Sequence, residues 1–149
     1  MTEAVTDRIE INATPQAVMD VILDIEAYPQ WQSDIREVEV LERDDEGRAA
    51  RARFVVDARV FTAIYTLAYT YSTDGVRWEL VSSDQLRQLD GSYRVAGGTD
   101  GTTTVTYELV ADPTISVPRF MRRKAAEHIV RSALQGLRQR VEAGQQDPS

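Results

Sequence analysis

The chain has 149 residues, 42% of them hydrophobic, with no cysteine and a net charge of −7, which fits one domain with a real core. The missing cysteine excludes a disulfide framework, thiol chemistry and cysteine-ligated zinc, and the acidic balance repels phosphates, so no nucleic-acid partner is expected. No stretch reaches the roughly 18 apolar residues of a membrane span; "MTEAVTDRIEI" has no basic region followed by an apolar run, so the expectation is a cytoplasmic protein without a signal peptide.

Residues 7–13, "DRIEINA", alternate, with Ile9, Ile11 and Ala13 on one side, which predicts a half-buried strand. Thr14 then offers an N-cap and Pro15 a first helical residue whose missing N–H costs nothing. Val18, Val21, Ile22 and Ile25 recur at helical spacing, and Pro29 predicts the stop of this short amphipathic helix. From Trp31 the chain reads as strands and turns: "REVEVLE", the turn "DDEG", "RAARARFVV", "VFTAIYTLAYTY", the turn "STDG", "VRWELVS", "QLRQLDGSYRV", the turn "AGGTDG" and "TTTVTYELV". Gly91 inside its strand predicts a bulge. From Pro118 the period changes to that of a helix of about 25 residues. Ala126, Ile129, Val130, Ala133, Leu134, Leu137 and Val141 form its apolar stripe, opposite Arg123, Lys124, Arg131 and Arg138. Strand, helix, six strands and a long helix predict one α+β domain over residues 1–149, with a core from 7 to 143, a disordered tail at 144–149 and the long helix covering a curved antiparallel sheet.

The inward rows of that sheet are aromatic. In the fourth strand Phe61, Ala63, Tyr65, Leu67, Tyr69 and Tyr71 share one face; Phe54, Trp78, Tyr93 and Tyr107 join them from other strands. A dry core favours Leu, Ile, Val and Phe, because a buried hydroxyl needs a partner. Inward tyrosines at this density point to a ligand-lined or wet interior, while phenols reaching outward at strand ends over an ordinary core stand as the alternative. The same rows carry no ionisable side chain in this register. A catalytic pair would need one there, so no catalytic residue is assigned. Arg87 and Asp90 lie beside the expected bulge and are the least determined. His128, the single histidine, falls opposite the apolar stripe and reads as a surface residue. No metal site, phosphate loop or nucleophile elbow is present. "RFMRRK" at 119–124 puts cations at a helix start, against the macrodipole; it reads as a solvated face or as a contact for anionic lipid or RNA.

Taken together, the strand and helix leading into "DIEAYPQW", the strands "LDGSYRV" and "DGTTTVTYELVADP", and the helix "VPRFMRRKAAEHIVRSALQGLRQRVE" resemble the START-like (SRPBCC) superfamily, and within it the bacterial polyketide cyclase/dehydrase and lipid-transport family. The resemblance covers about Asp7 to Ala143. It implies a helix-grip fold: a seven-stranded curved antiparallel sheet wrapped around the C-terminal helix, short helices after the first strand, and a hydrophobic cavity between sheet and helix. It also implies that the corner after the first helix lies near the cavity mouth. Members bind lipids, quinones, steroids or polyketides, and some catalyse aromatisation or cyclisation. No catalytic residue and no cofactor carries over.

The leading expectation is therefore binding or transport of a hydrophobic small molecule. The cavity is expected to be lined by Trp31, Phe54, Phe61, Tyr65, Tyr69, Trp78, Tyr93, Tyr107, Ile129 and Ala133, with Tyr28, Phe120 and Met121 at its mouth. Trp31 reads equally as a rim residue or as packing beneath the helices. An aromatase/cyclase-type enzyme, assisted by a tyrosine hydroxyl or Arg87, is the second reading. An interaction module for membrane or ribosome is the third, and with it peripheral membrane contact stays open.

Overall fold

In the computed structural model, which describes residues 4–58 and 61–146 and the backbone alone at 58, 61, 145 and 146, strand β1 (Val5–Ile11) runs into helix α1 (Pro15–Leu23). Thr14 caps α1 by accepting the Ala17 N–H on Oγ1 at 3.2 Å, and Pro15 takes the first helical position. The helix ends earlier than Pro29 requires. A 3₁₀ turn, Ile25–Gln30, follows with Pro29 inside it. Its tighter winding keeps Ile25, Ala27 and Tyr28 buried while the chain changes direction.

Six strands follow: β2 (Ile35–Arg43), β3 (Ala49–Ala58), β4 (Phe61–Ser72), β5 (Gly75–Ser83), β6 (Leu86–Gly97) and β7 (Thr103–Pro113). Together with β1 they form one antiparallel sheet in the order β1-β7-β6-β5-β4-β3-β2, so strands adjacent in sequence pair except at β1, which joins β7. The turn between β2 and β3 closes as its sequence asks. Asp44 Oδ1 accepts from the N–H groups of Glu46 and Arg48, and Gly47 takes the positive φ of 82° that favours glycine.

Opposed residues in an antiparallel pair share a face, so the register fixes what points inward. Phe54 faces Tyr65, Ala52 faces Leu67, Tyr69 faces Trp78, Tyr71 faces Val76, and Tyr93 lies between Val76 and Tyr107. These are the rows that strand alternation predicts. Gly91 departs from its expectation. It pairs in regular register with both Trp78 and Leu109, and the irregularity of β6 falls instead between Leu86 and Gln88. A Cβ at Gly91 would lie 2.5 Å from Trp78 Cζ2 and 2.7 Å from the Glu108 carbonyl oxygen. The glycine is the seat of the Trp78 indole.

Helix α2 (Arg119–Gln146) lies against β1, β7 and α1. Ala126, Val130, Ala133, Leu134, Leu137 and Val141 are buried along it, whereas Ile129 stands at the margin, 36% exposed, because it falls at the edge of the stripe. The helix continues through residues 144–146, which were expected to belong to a disordered tail; residues 147–149 lie outside the described residues. No helix among the described residues is long and apolar enough to cross a membrane.

Candidate functional site

An aromatic belt crosses the concave face of the sheet. Phe54 and Tyr65 stack at 5.3 Å, the ring of Tyr69 lies 6.3 Å from Trp78, and Trp78 meets Tyr93 and Tyr107 at 5.6 and 5.5 Å. Tyr93 and Tyr107 meet edge to face at 4.7 Å, the arrangement that ring quadrupoles favour. Tyr28 enters from the 3₁₀ turn, edge-on to Trp31 at 5.0 Å.

All six tyrosines of the chain converge here. Neighbouring phenols add to the resistance of Tyr28, Tyr69, Tyr93 and Tyr107 to ionisation. Two hydroxyls are tied to the backbone: Tyr28 donates to the Ile22 carbonyl and Tyr71 to the Ala49 carbonyl, the latter at 2.6 Å. The hydroxyls of Tyr65, Tyr69, Tyr93 and Tyr107 have no protein partner among the described residues. They are not sealed off either. The one buried side-chain polar atom among the described residues that lacks both a partner and any accessible surface is Trp31 Nε1. These four phenol hydroxyls thus keep some accessible surface at the concave face.

Burial keeps these phenols neutral. It raises Tyr28, Tyr69, Tyr93 and Tyr107 well above the ordinary tyrosine value, with repulsion from neighbouring phenols as the second cause. Tyr65 is raised by burial alone. Tyr71 is pushed up to about 12 by burial and by Asp44, against the opposing pull of Arg48, whose guanidinium lies 4.5 Å over its ring. A neutral phenol both donates and accepts a hydrogen bond.

Ionisable groups approach this interior from two sides only, among the described residues. Asp7 lies directly opposite Tyr107 in the register but is exposed on the edge strand. At the other side Arg48 binds Asp44 at 2.9 Å, and Arg43 binds Glu26 at 2.6 Å. The turn between β2 and β3 holds Asp44 and Arg48 together, and the register of β2 shifts between Val40 and Arg43 just before it. Glu26, Arg43 and Arg48 line a surface pocket of about 160 Å³ between residues 23–26 and the β2–β3 hairpin. Sequence alternation had not placed Arg43, Arg48 or Tyr71 in a site, since a register shift is invisible in a single strand. Among the described residues no group of three or more metal-ligating side chains comes together.

The family described as polyketide cyclase / dehydrase and lipid transport matches residues 11–138. The chain belongs to this family. Its fold is the helix-grip fold of the START superfamily. It superposes on a START superfamily protein from Mycobacterium smegmatis with a TM-score of 0.88, at 23% identity over 94% of this chain and 97% of that one. An aromatase/cyclase from a Streptomyces species matches with a TM-score of 0.84, at 14% identity over 95% of this chain and 94% of that one. A STAR-related lipid transfer protein fragment from Xanthomonas axonopodis matches with a TM-score of 0.73, at 20% identity over 93% and 85%. No curated protein matches the sequence.

Within this START-like frame the residues singled out from the sequence fall into three groups. Phe54, Tyr65, Tyr69, Trp78, Tyr93 and Tyr107 share the concave face, and Ala133 is buried on α2. Trp31 is half-buried and packs on α2: a Cβ at Gly136 would lie 2.5 Å from the Trp31 carbonyl oxygen and 3.3 Å from its ring. The side chain of Phe61 lies outside the described residues. The expected mouth does not form as one rim. Tyr28 is only 5% exposed and sits with Trp31 near Gly136, whereas Phe120 and Met121 are 68% and 51% exposed at the start of α2. At about 1.5 Å per residue these points lie roughly 24 Å apart along the helix. His128 is exposed on the outer side of α2, with Nε2 3.4 Å from Ser132 Oγ.

Proposed function

We propose that this family member binds a hydrophobic, oxygen-bearing small molecule between the concave sheet face and α2, and holds it without catalysing a reaction. The observation that carries the reading is the set of four phenols on the concave face, Tyr93 and Tyr107 buried and Tyr65 and Tyr69 half-buried, for whose hydroxyls no protein partner is found among the described residues. Buried polar groups in native proteins are nearly always satisfied. A ligand carrying carbonyl or hydroxyl groups supplies the partners, and the belt of rings supplies its apolar walls. The neutral phenols favour an uncharged ligand over a carboxylate, since Arg48, the cation over the Tyr71 ring, is paired with Asp44. A cyclase would need an ionisable group at the ligand; Asp44 and Arg48, the nearest pair, spend their charge on each other.

The test is mass spectrometry of small molecules that co-purify with the protein, followed by thermal shift with lipids, quinones and polyaromatics. A ligand at about 100-fold excess over Kd stabilises the fold by about 2.7 kcal/mol. A co-purifying neutral ligand whose affinity falls in Tyr69→Phe and Tyr107→Phe supports the reading. Absence of any co-purifying molecule together with no shift from any class overturns it, and turnover of a bound polyketone would move the protein to the cyclases.

A further inference from the structure

The start of α2 is built against its own electrostatics. Arg119, Arg122, Arg123 and Lys124 occupy its first turns, and no acidic residue stands there. The positive end of a helix favours acids at this position. Arg87 joins the cluster from β6, its Nη2 donating to the Thr114 carbonyl at 3.1 Å. Asp112 lies 3.6 Å from Arg122, and Glu127 follows Arg123 by one helical turn. The cluster is therefore basic in a chain whose net charge is −7. Beside it lie three of the most exposed large apolar side chains: Phe120 at 68%, Ile115 at 64% and Met121 at 51%. Nothing in the packing of the described core uses them.

We infer that this end of the molecule, Ile115, Phe120 and Met121 ringed by Arg87, Arg122 and Lys124, docks peripherally on an anionic lipid bilayer. Apolar side chains that enter the boundary between headgroups and acyl chains, with cations placed beside them for anionic headgroups, are the two components of interfacial binding. Nucleic acid fits less well. It would use the cations but leave Ile115 and Met121 facing water, and it offers a dense phosphate charge to an acidic protein. The remote acids of the chain do not cancel the local attraction, because charges beyond about 8–10 Å are screened at physiological salt. This inference rests on the surface alone and not on the proposed ligand cavity.

The experiment is co-sedimentation of the full chain with phosphatidylcholine vesicles, with and without about one-third phosphatidylglycerol. Binding is expected only to the mixed vesicles and should weaken as salt is raised. Lys124→Gln should lower the affinity about fivefold, corresponding to about 1 kcal/mol per cation near an anionic surface. Phe120→Ser should lower it further, and mixed vesicles should protect the backbone amides around Phe120 from hydrogen–deuterium exchange in the wild type but not the same amides in the variant. Both variants are exposed substitutions, so circular dichroism and melting should match the wild type. Equal binding to neutral vesicles, no binding to either, or binding to single-stranded RNA that exceeds binding to mixed vesicles would each overturn the inference.

Discussion

Near Gly136 helix α2 touches the backbone of Trp31, leaving no space for even a methyl group, whereas at its start the same helix leaves Phe120 68% exposed. One end is anchored on three sides. Trp31 covers it, Gln30 Oε1 accepts from Arg140 Nη2 at 2.7 Å, and Glu142 Oε2 accepts the Asn12 N–H at 3.0 Å. The other end carries cations and apolar side chains outward. The contrast separates two uses of a hydrophobic residue. Leu137, 0% exposed, contributes to folding, while Phe120 contributes almost nothing to it.

The widest break of that contrast comes at high pH, because the buried face of the fold holds six phenols and the start of α2 holds none. All six are raised by the fold, with burial the largest cause in each and Tyr71 reaching about 12. Above the unfolded tyrosine value of about 10 the unfolded chain has released these protons and the folded one retains them, so stability falls as pH rises. Tyrosinate absorbance near 295 nm should therefore appear together with loss of circular dichroism, in one cooperative step. Tyrosinate forming in a protein that stays folded would show the phenols to be solvated.

Leu137→Ala should cost about 2–5 kcal/mol in urea unfolding, the range for a fully buried leucine. Gly136→Val should cost about 1–3 kcal/mol, since its Cβ meets backbone that cannot move aside; a neutral result would show that the Trp31 corner is loosely held. Tyr107→Phe removes a hydroxyl without a protein partner, so its stability should stay within about 1 kcal/mol of the wild type, whereas Tyr71→Phe, which frees the Ala49 carbonyl, should lose roughly 1–2 kcal/mol. Phe120→Ser should change stability by no more than about 0.5 kcal/mol. A large loss there would mean that the exposed end is part of the folding unit.

Much of this fold is legible in the residue order, for identifiable reasons. The β4 row from Ala63 to Tyr71 has strict alternation and the turn "STDG" after it, so its inward face follows from period. Thr14–Pro15 marks a helix start because capping is a local event. The aromatic belt follows from alternation in five strands, β3 to β7. What stays hidden depends on partners distant in sequence. Gly91 looks like a bulge along its own strand, and only the indole of Trp78 across the ladder explains it. Pro29 reads as a helix stop, yet a 3₁₀ turn accommodates it. Tyr28 and Tyr71 look like the other phenols, and nothing local reveals that their hydroxyls end on backbone carbonyls. The register shifts of β2 next to Arg43 have no signature in the alternation of either strand.

The pairing of β1 with β7 has a consequence for how the chain is made. Val5 opposes Leu109, and the segment after β1 is held by Thr103 Oγ1 donating to the Ala13 carbonyl at 2.6 Å. Every backbone partner of β1 in the sheet is therefore synthesised about a hundred residues later, which takes roughly 5–20 s at about 5–20 residues per second. Over that interval β2 to β6 can pair with their sequence neighbours as they emerge, while β1 stays unpaired. Its outward Thr6, Arg8 and Glu10 are then the side chains that keep a waiting strand from pairing with another copy of itself.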